Sequence, residues 1–242
     1  VSWHPSMSAR GGHGLRFRLL LLDHDDTAVS STQDIHYPAH VESVNKLRPD
    51  LVPCSLEQWF EKNHDPGIQK YLESLFTTKE QMRQEVVIWR RHMRKQPRFF
   101  EGMPEILAEF RARGGRVAVV SHSPADVIKE HYARHSLAQH IYPDLVFGWD
   151  ADPAKRKPAS WPALRALELL GVRPEEALVL DDLSPGIIMG RAAGVCVAAA
   201  GWGHSTPVIE TYMERTCDHY FRTVTEFGSF LLTVDEHLVS SF

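Results

Sequence analysis

Three acids and a threonine stand within five residues, Asp23-His24-Asp25-Asp26-Thr27, directly after the four leucines Leu19 to Leu22. Carboxylates two residues apart can divide the work of a nucleophile from that of a proton donor, which a single carboxylate cannot combine in one displacement. Alone, this D-x-D-x-T pattern also fits a solvated turn or an acidic helix cap. With each residue type used at roughly 5%, it would recur by chance in roughly one chain of this length in thirty. Three further groups follow it in order: Ser121 and His122 after Val117 to Val120, Lys157 with Pro158 beyond Leu145 to Phe147, and Asp181-Asp182 after Ala177 to Leu180. Singly, Ser121 fits an ordinary turn, and Lys157, in the run Lys155-Arg156-Lys157, fits a solvated loop. Each nevertheless comes after an apolar run, and in open α/β sheets the ligand crevice lies outside the carboxyl ends of the strands. One pocket could collect them all. Four carboxylates gathered there would repel, and Lys157 offsets only one charge, so a divalent cation is required.

The elements that would position these groups can be read from apolar runs and their punctuation. Strands are expected at Arg16 to Leu22, Val117 to Val120, Leu145 to Phe147, Ala177 to Leu180 and Val195 to Ala199, each bounded by Gly, Pro, Asp or Ser. Helical patterns lie between several of them, at Met103 to Arg113, Ala125 to His135, Trp161 to Leu170 and Gly186 to Ala193. This alternation predicts an α/β core with a doubly wound, mostly parallel sheet. Residues 31–99 break it, with helix signals and no convincing strand. There Pro38 suits a first helical turn, Ser55 with Gln58 and Thr78 with Gln81 suit capping boxes, and Ile68, Tyr71, Leu72, Leu75 and Phe76 share one helical face. The expected organisation is an N-terminal extension at residues 1–14, a core of residues 15–30 and 100–242, and an inserted helical cap at 31–99. The 98 residues between Asp23 and Ser121 leave room for that insertion. The 36 from Ser121 to Lys157 and the 25 from Lys157 to Asp182 each fit about one helix and one strand.

In this order, Asp23-x-Asp25-x-Thr27, Ser121, Lys157-Pro158 and Asp181-Asp182 with Ser184-Pro185-Gly186 resemble the four motifs of the haloacid dehalogenase superfamily. The likeness is to its phosphatases that carry a helical cap between the first and second motifs. Phe100-Glu101-Gly102-Met103-Pro104 resembles their return from cap to core, and Gly201-Trp202-Gly203 resembles a turn of phosphoglycolate-phosphatase-like members. Ser160 stands where a second proline often follows the lysine motif. The resemblance covers about residues 16–230 and implies roles. Asp23 would attack phosphorus and form an aspartyl-phosphate. Asp25 would protonate the leaving oxygen and then deprotonate the hydrolytic water. Asp23, the Asp25 main-chain carbonyl and Asp182 would ligate the metal, with Asp181 an additional or outer ligand. Ser121, His122 and Lys157 would bind phosphate, and Thr27 would shape the phosphate-binding turn. Hard oxygen ligands, a phosphate substrate and no nearby cysteine favour Mg²⁺ over zinc.

Composition narrows the partners. The chain has 242 residues, 43% hydrophobic and 24% charged, which excludes collagen-like, disordered and coiled-coil classes. Lys and Arg number 27 against 31 Asp and Glu, a net charge of −4, so no electrostatic grip on nucleic acid is expected and a small phosphorylated metabolite suits better. The longest aliphatic run, Leu19 to Leu22, is far too short to span a membrane. Cys54, Cys196 and Cys217 lack CxxC spacing, which suits a reducing, cytoplasmic compartment. Oligomeric state stays open. His131 and His135 are read as a surface pair, and Arg83, Arg90, Arg91, Arg94 and Lys95 as a solvated basic face. His36 and His40 could line the crevice or serve as an ordinary hinge. The expected function is a Mg²⁺-dependent phosphatase for a small phosphate monoester. A sugar phosphomutase of the same fold and a non-catalytic binding or regulatory protein are the alternatives.

Overall fold

The computed structural model describes residues 14–233. Six strands form one parallel sheet: β1 (Leu19–Leu22), β4 (Arg116–Val120), β5 (Leu145–Phe147), β6 (Ala177–Asp181), β7 (Cys196–Ala200) and β8 (His219–Phe221), in the spatial order β5-β4-β1-β6-β7-β8. Successive side chains of a strand point to opposite faces, so the four leucines of β1 serve two cores at once. Leu20 and Leu22 pack with Val117, Val119, Phe110 and Phe227 on one face, and Leu19 and Leu21 pack with Ala163, Ala166 and Ile187 on the other. The helices α5 (Met103–Ala112), α6 (Ala125–Ala133), α7 (Ala138–Ile141) and α11 (Val224–Leu231) contribute to the first core, and α8 (Trp161–Leu170), α9 (Ser184–Ala192) and α10 (Pro207–Thr216) to the second. A central strand buried on both faces must be apolar throughout, and this one reads as an unbroken leucine run.

The doubly wound architecture agrees with the sequence expectation, with local differences. β1 begins at Leu19 rather than Arg16, and α9 begins two residues before Gly186, at Ser184. The edge strand β8 was not expected; it is three residues long, and only Phe221 is buried. A strand also lies within 31–99, where none was expected. Arg98–Phe99 (β3) pairs antiparallel with Val29–Ser30 (β2). The chain therefore leaves the core and returns to it side by side.

Between these two short strands run α1 (Tyr37–Leu47), α2 (Leu56–Lys62), α3 (Ile68–Leu75) and α4 (Lys79–His92). Both capping boxes form as the sequence suggests: the Ser55 and Thr78 hydroxyls accept from the main chain of Gln58 and Gln81, whose side chains accept in return. The helical segment touches the sheet's functional end at Ser184, the first residue of α9. Its N–H donates to His64 Nδ1 at 3.2 Å and its hydroxyl to the His64 carbonyl at 2.6 Å. No helix among the described residues is long and apolar enough to cross a membrane.

Candidate active site

Three neighbouring strands, β4, β1 and β6, deliver the polar residues that follow their carboxyl ends. After β1 the chain turns sharply: Ala28 and Val29 N–H both donate to the His24 carbonyl, and Asp26 adopts a left-handed conformation at φ 57°. An aspartate tolerates that region better than most side chains. The turn is held from outside by Trp202, whose indole N–H donates to the Thr27 carbonyl at 3.0 Å. Gly203 lies so close that a Cβ there would stand 2.1 Å from the Asp26 carbonyl oxygen. These contacts explain the Gly201-Trp202-Gly203 signal in the sequence.

Seven of the eight residues singled out as site residues converge directly. Lys157 Nζ donates to Asp23 Oδ1 at 2.6 Å and to Asp181 Oδ2 at 2.7 Å, and all three side chains are buried. Carboxylate oxygens of Asp23, Asp181 and Asp182 lie within 4.8 Å of one another. Thr27 donates through its hydroxyl to Asp182 Oδ1 at 3.1 Å, so its side chain buttresses that carboxylate. Asp25 accepts four hydrogen bonds: from Ser31 Oγ (2.8 Å) and His36 Nε2 (2.9 Å) at Oδ1, and from Ser121 Oγ (3.1 Å) and Ser123 Oγ (2.6 Å) at Oδ2. The eighth, His122, lines the same cavity, but its Nε2 is 2.9 Å from the Lys157 carbonyl, where it supports the lysine's backbone.

Electrostatics follow from this packing. Burial pushes the Asp23 carboxyl well above its ordinary range; Lys157 draws it down, while Asp181 and Asp25 push it further up. Asp182 is raised well above its ordinary range by burial and then by Asp23, Asp181 and Asp26. Burial opposes the charge on Lys157, but Asp181 and Asp23 outweigh it and hold the ammonium protonated. His204 Nε2, 3.6 Å from Asp182, brings no positive charge, because burial lowers it to about 4. Three close carboxylates against one ammonium leave a surplus of negative charge, and the donors are all hard oxygens. Such a set fits a divalent cation.

Asp25 behaves in the opposite sense. Burial raises its pKa, yet the charge and hydrogen bond of His36, with smaller help from His24 and Ser123, bring it well below the ordinary carboxylate range. His36 is itself oriented from α4, since Trp89 Nε1 donates to its Nδ1 at 2.9 Å. That contact fixes the ring so that Nε2 faces Asp25. His36 thus lines the crevice, one of the two roles left open from sequence.

Other expectations change. His131 is no surface residue: it is buried, with Nδ1 3.0 Å from His24 Nε2, and the two rings stack beneath the turn away from the cavity. His135 makes only a local contact with the Leu137 N–H. Ser31, Ser123 and Trp89 were not singled out. Ser123 had a usable signal, since a residue two positions beyond Ser121 can share its side in extended backbone. Ser31 and Trp89 had none, because their relation to Asp25 depends on how the helical segment returns.

Comparisons with known proteins agree with this geometry. A family model described as haloacid dehalogenase-like hydrolase matches residues 20–200. A phosphoglycolate phosphatase of Aquifex aeolicus (strain VF5) is 30% identical over 196 residues, covering 77% of this chain and 86% of that protein. A pyrophosphatase of Bacillus cereus (strain B4264) is 25% identical over 197 residues, covering 78% and 85%. Among solved structures, CbbY of Rhodobacter sphaeroides in complex with phosphate superposes with a TM-score of 0.69 at 20% identity, covering 89% of this chain and 99% of that one. A haloacid dehalogenase-like family hydrolase of Streptococcus pneumoniae gives 0.68 at 17%, covering 89% and 98%. The structural likenesses establish the fold, and the matched span contains every residue gathered at the crevice around Asp23. The chain is an enzyme that belongs to the haloacid dehalogenase-like hydrolase family.

Proposed function

We propose that the enzyme is a Mg²⁺-dependent phosphatase that hydrolyses a small phosphate monoester through an aspartyl-phosphate on Asp23. The observation that carries this reading is the pairing of two unlike carboxylates two residues apart: Asp23 held at one oxygen by Lys157, and Asp25 held by four donors. The relatives named as a phosphoglycolate phosphatase and a pyrophosphatase support a phosphoryl substrate.

Displacement at phosphorus needs an oriented nucleophile, a proton donor to the leaving oxygen, and neutralisation of phosphoryl charge. With Oδ1 on Lys157, the other oxygen of Asp23 attacks phosphorus. Lys157 also faces the phosphoryl oxygens, and the Ser121 hydroxyl exchanges Asp25 for one of them. Phosphoryl charge beside it and the loss of the Ser121 donor raise Asp25 so that it takes up a proton from solvent; it gives this proton to the departing alkoxide, then takes one from the water that hydrolyses the aspartyl-phosphate. Its depressed pKa suits the second step. Asp23, the Asp25 main-chain carbonyl and Asp182 would hold Mg²⁺, with Asp181, already shared with Lys157 and the Leu183 N–H, further out. When bound, the ion supplies positive charge for the phosphoryl oxygens. Thr27 keeps Asp182 in place, and His122 supports Lys157 through its carbonyl. Residues 31–99 act as a cap over the core formed by 15–30 and 100–242. Three unpaired cysteines suit a reducing, cytoplasmic setting.

The test uses an activated aryl phosphate, whose leaving group hardly needs protonation. Asp25→Asn should then slow the second step more than the first. A burst of about one aryl alcohol per enzyme, with one phosphoryl group added to the peptide containing Asp23, is expected. Asp23→Asn should abolish turnover. Absence of a covalent adduct in both wild type and Asp25→Asn overturns the mechanism, and a wild-type phosphoenzyme that persists in water and passes its phosphoryl group to a sugar phosphate identifies a mutase instead.

A further inference from the structure

A cavity of about 500 Å³ opens from the carboxylate crevice into the helical segment. That is the size of a site for a drug-like or cofactor-like molecule, much larger than a two-carbon acid or a second phosphate requires. Its far wall is apolar, built by Trp59, Phe60, Ile68, Leu72, Met82 and Trp89. One charged group interrupts that wall. Glu85 is only 7% exposed and lines the cavity, and its carboxyl has no hydrogen-bond or ion-pair partner among the described residues.

The position of Glu85 follows from helix geometry. Met82, Glu85 and Trp89 are spaced three and four apart, so they share one face of α4. Trp89 is tied through His36 to Asp25, and Glu85 lies one turn along the axis, about 6 Å away. A substrate with its phosphoryl group on Asp23 would extend its alcohol portion past Trp89 toward Glu85, since all three line the one cavity.

The charges around the cavity decide what that portion carries. Of the buried histidines that line it, burial lowers His40 to about 4, burial with the neighbouring Lys157 lowers His122 to about 4, and His36, which Asp25 raises against burial, is committed to that carboxylate at 2.9 Å. Arg83 and Arg90 stand at the mouth, with side chains 74% and 57% exposed, paired to Glu80 and 3.7 Å from Asp126 respectively. A substrate carboxylate reaching the far wall would meet another acid and no buried cation. An ammonium would meet Glu85 beside the indole rings of Trp59 and Trp89, surroundings that favour a cation in an apolar site.

Building on the phosphatase reading, we infer that the preferred substrate is the phosphate ester of an alcohol with an apolar, ring-sized body ending in an amine, and that Glu85 selects that amine. Burial pushes the Glu85 carboxyl up to about 7, so in neutral solution it ionises readily when a cation arrives.

Three matched probes test this: 4-(aminomethyl)phenyl, 4-ethylphenyl and 4-carboxyphenyl phosphate. The expected kcat/KM is about tenfold higher for the amine than for the ethyl compound, the size of one charge-assisted hydrogen bond, and lowest for the carboxylate. The amine advantage should lie in KM, and in Glu85→Gln the amine-to-ethyl ratio should fall to about one. Equal rates for amine and ethyl probes, a preference for the carboxylate, or an amine preference that survives Glu85→Gln overturns the inference. A second arm needs no turnover. In Asp23→Asn, quenching of tryptophan fluorescence should show 4-(aminomethyl)phenol binding more tightly than 4-ethylphenol, and equal affinities again overturn the inference. If none of the three esters is hydrolysed while that binding preference holds, the phosphatase reading fails and the ligand class stands.

Discussion

Asp25 and His36 form a pair whose balance is set by burial against a hydrogen bond. Burial alone would raise Asp25, and His36, by charge and by its 2.9 Å contact, is the largest force lowering it. The sign of the consequence can be worked out. As the proposed base, Asp25 works when deprotonated, so activity limited by the second step should fall only as pH drops through its depressed pKa. In His36→Ala the burial remains while its main opponent is gone, so the acid limb of kcat should move up by about one pH unit or more. A pH profile with an activated aryl phosphate reads this directly. An acid limb that stays in place would show that His36 only fills space between α4 and the turn. The same pair marks what sequence can reveal at this scale. Asp23, Asp25, Ser121, Lys157, Asp181 and Asp182 were legible because each comes after an apolar run and all stand in a fixed order. His36 could be noticed, but its partner could not be named. Trp89 holds it from 53 residues away, and Glu85 was not singled out at all.

Among the elements, α9 carries the tightest link between packing and chemistry. A Cβ on Gly186 would stand 1.9 Å from Asp181 Oδ2, the oxygen that Lys157 holds, whereas a Cβ on Gly190, one turn later, would press on Val197 and Val179, 2.6 and 2.8 Å away. Both substitutions overpack the same helix against the sheet and should cost about 1–3 kcal/mol in stability. Only Gly186→Ala displaces the carboxylate. Its kcat should therefore fall by about tenfold or more, a barrier increase of ~1.4 kcal/mol, while Gly190→Ala keeps most of its rate at a similar loss of Tm. Equal rates in the two variants would detach α9 from the positioning of Lys157. Legibility at this scale tracks burial. The strands β1, β4 and β6 are covered on both faces and therefore read as unbroken apolar runs. The edge strand β8 carries His219 and Tyr220 only half-buried, and its mixed pattern gave no signal. The two-residue ribbon of β2 and β3 is too short for any period to show. The capping boxes of α2 and α4 were legible because both partners lie within three residues. His131 was misread because a polar residue on a helix is ordinarily at the surface, and here it pairs with His24, which is likewise buried.

Taken as a whole, the molecule stores electrostatic strain at one end of its sheet and so couples its stability to what binds there. Asp23 and Asp182 are both raised well above the ordinary carboxylate range, with burial as the largest cause and neighbouring carboxylates, Asp181 among them for both, adding to it. A carboxylate whose folded pKa exceeds its unfolded value destabilises the fold once the pH rises above that unfolded value. Two opposite effects should follow at neutral pH. On the proposed reading Mg²⁺ would bind the folded site and not the unfolded chain, so at about a hundred times its Kd it should stabilise by about 2.7 kcal/mol. For a chain of this size that corresponds to a Tm rise of roughly 5–10 °C. Asp182→Asn removes one of the repelling charges while leaving an oxygen to accept from Thr27 Oγ1. Without metal it should melt at or above the wild-type temperature, and with Mg²⁺ it should gain much less than the wild type does. Melting curves with EDTA and with saturating Mg²⁺, recorded for both proteins, give the four values needed. A wild type indifferent to Mg²⁺ would remove the metal from the proposed chemistry. A metal-free Asp182→Asn that melts well below the wild type would mean that Asp182 supports the fold through its hydrogen bonds more than it strains it through its charge.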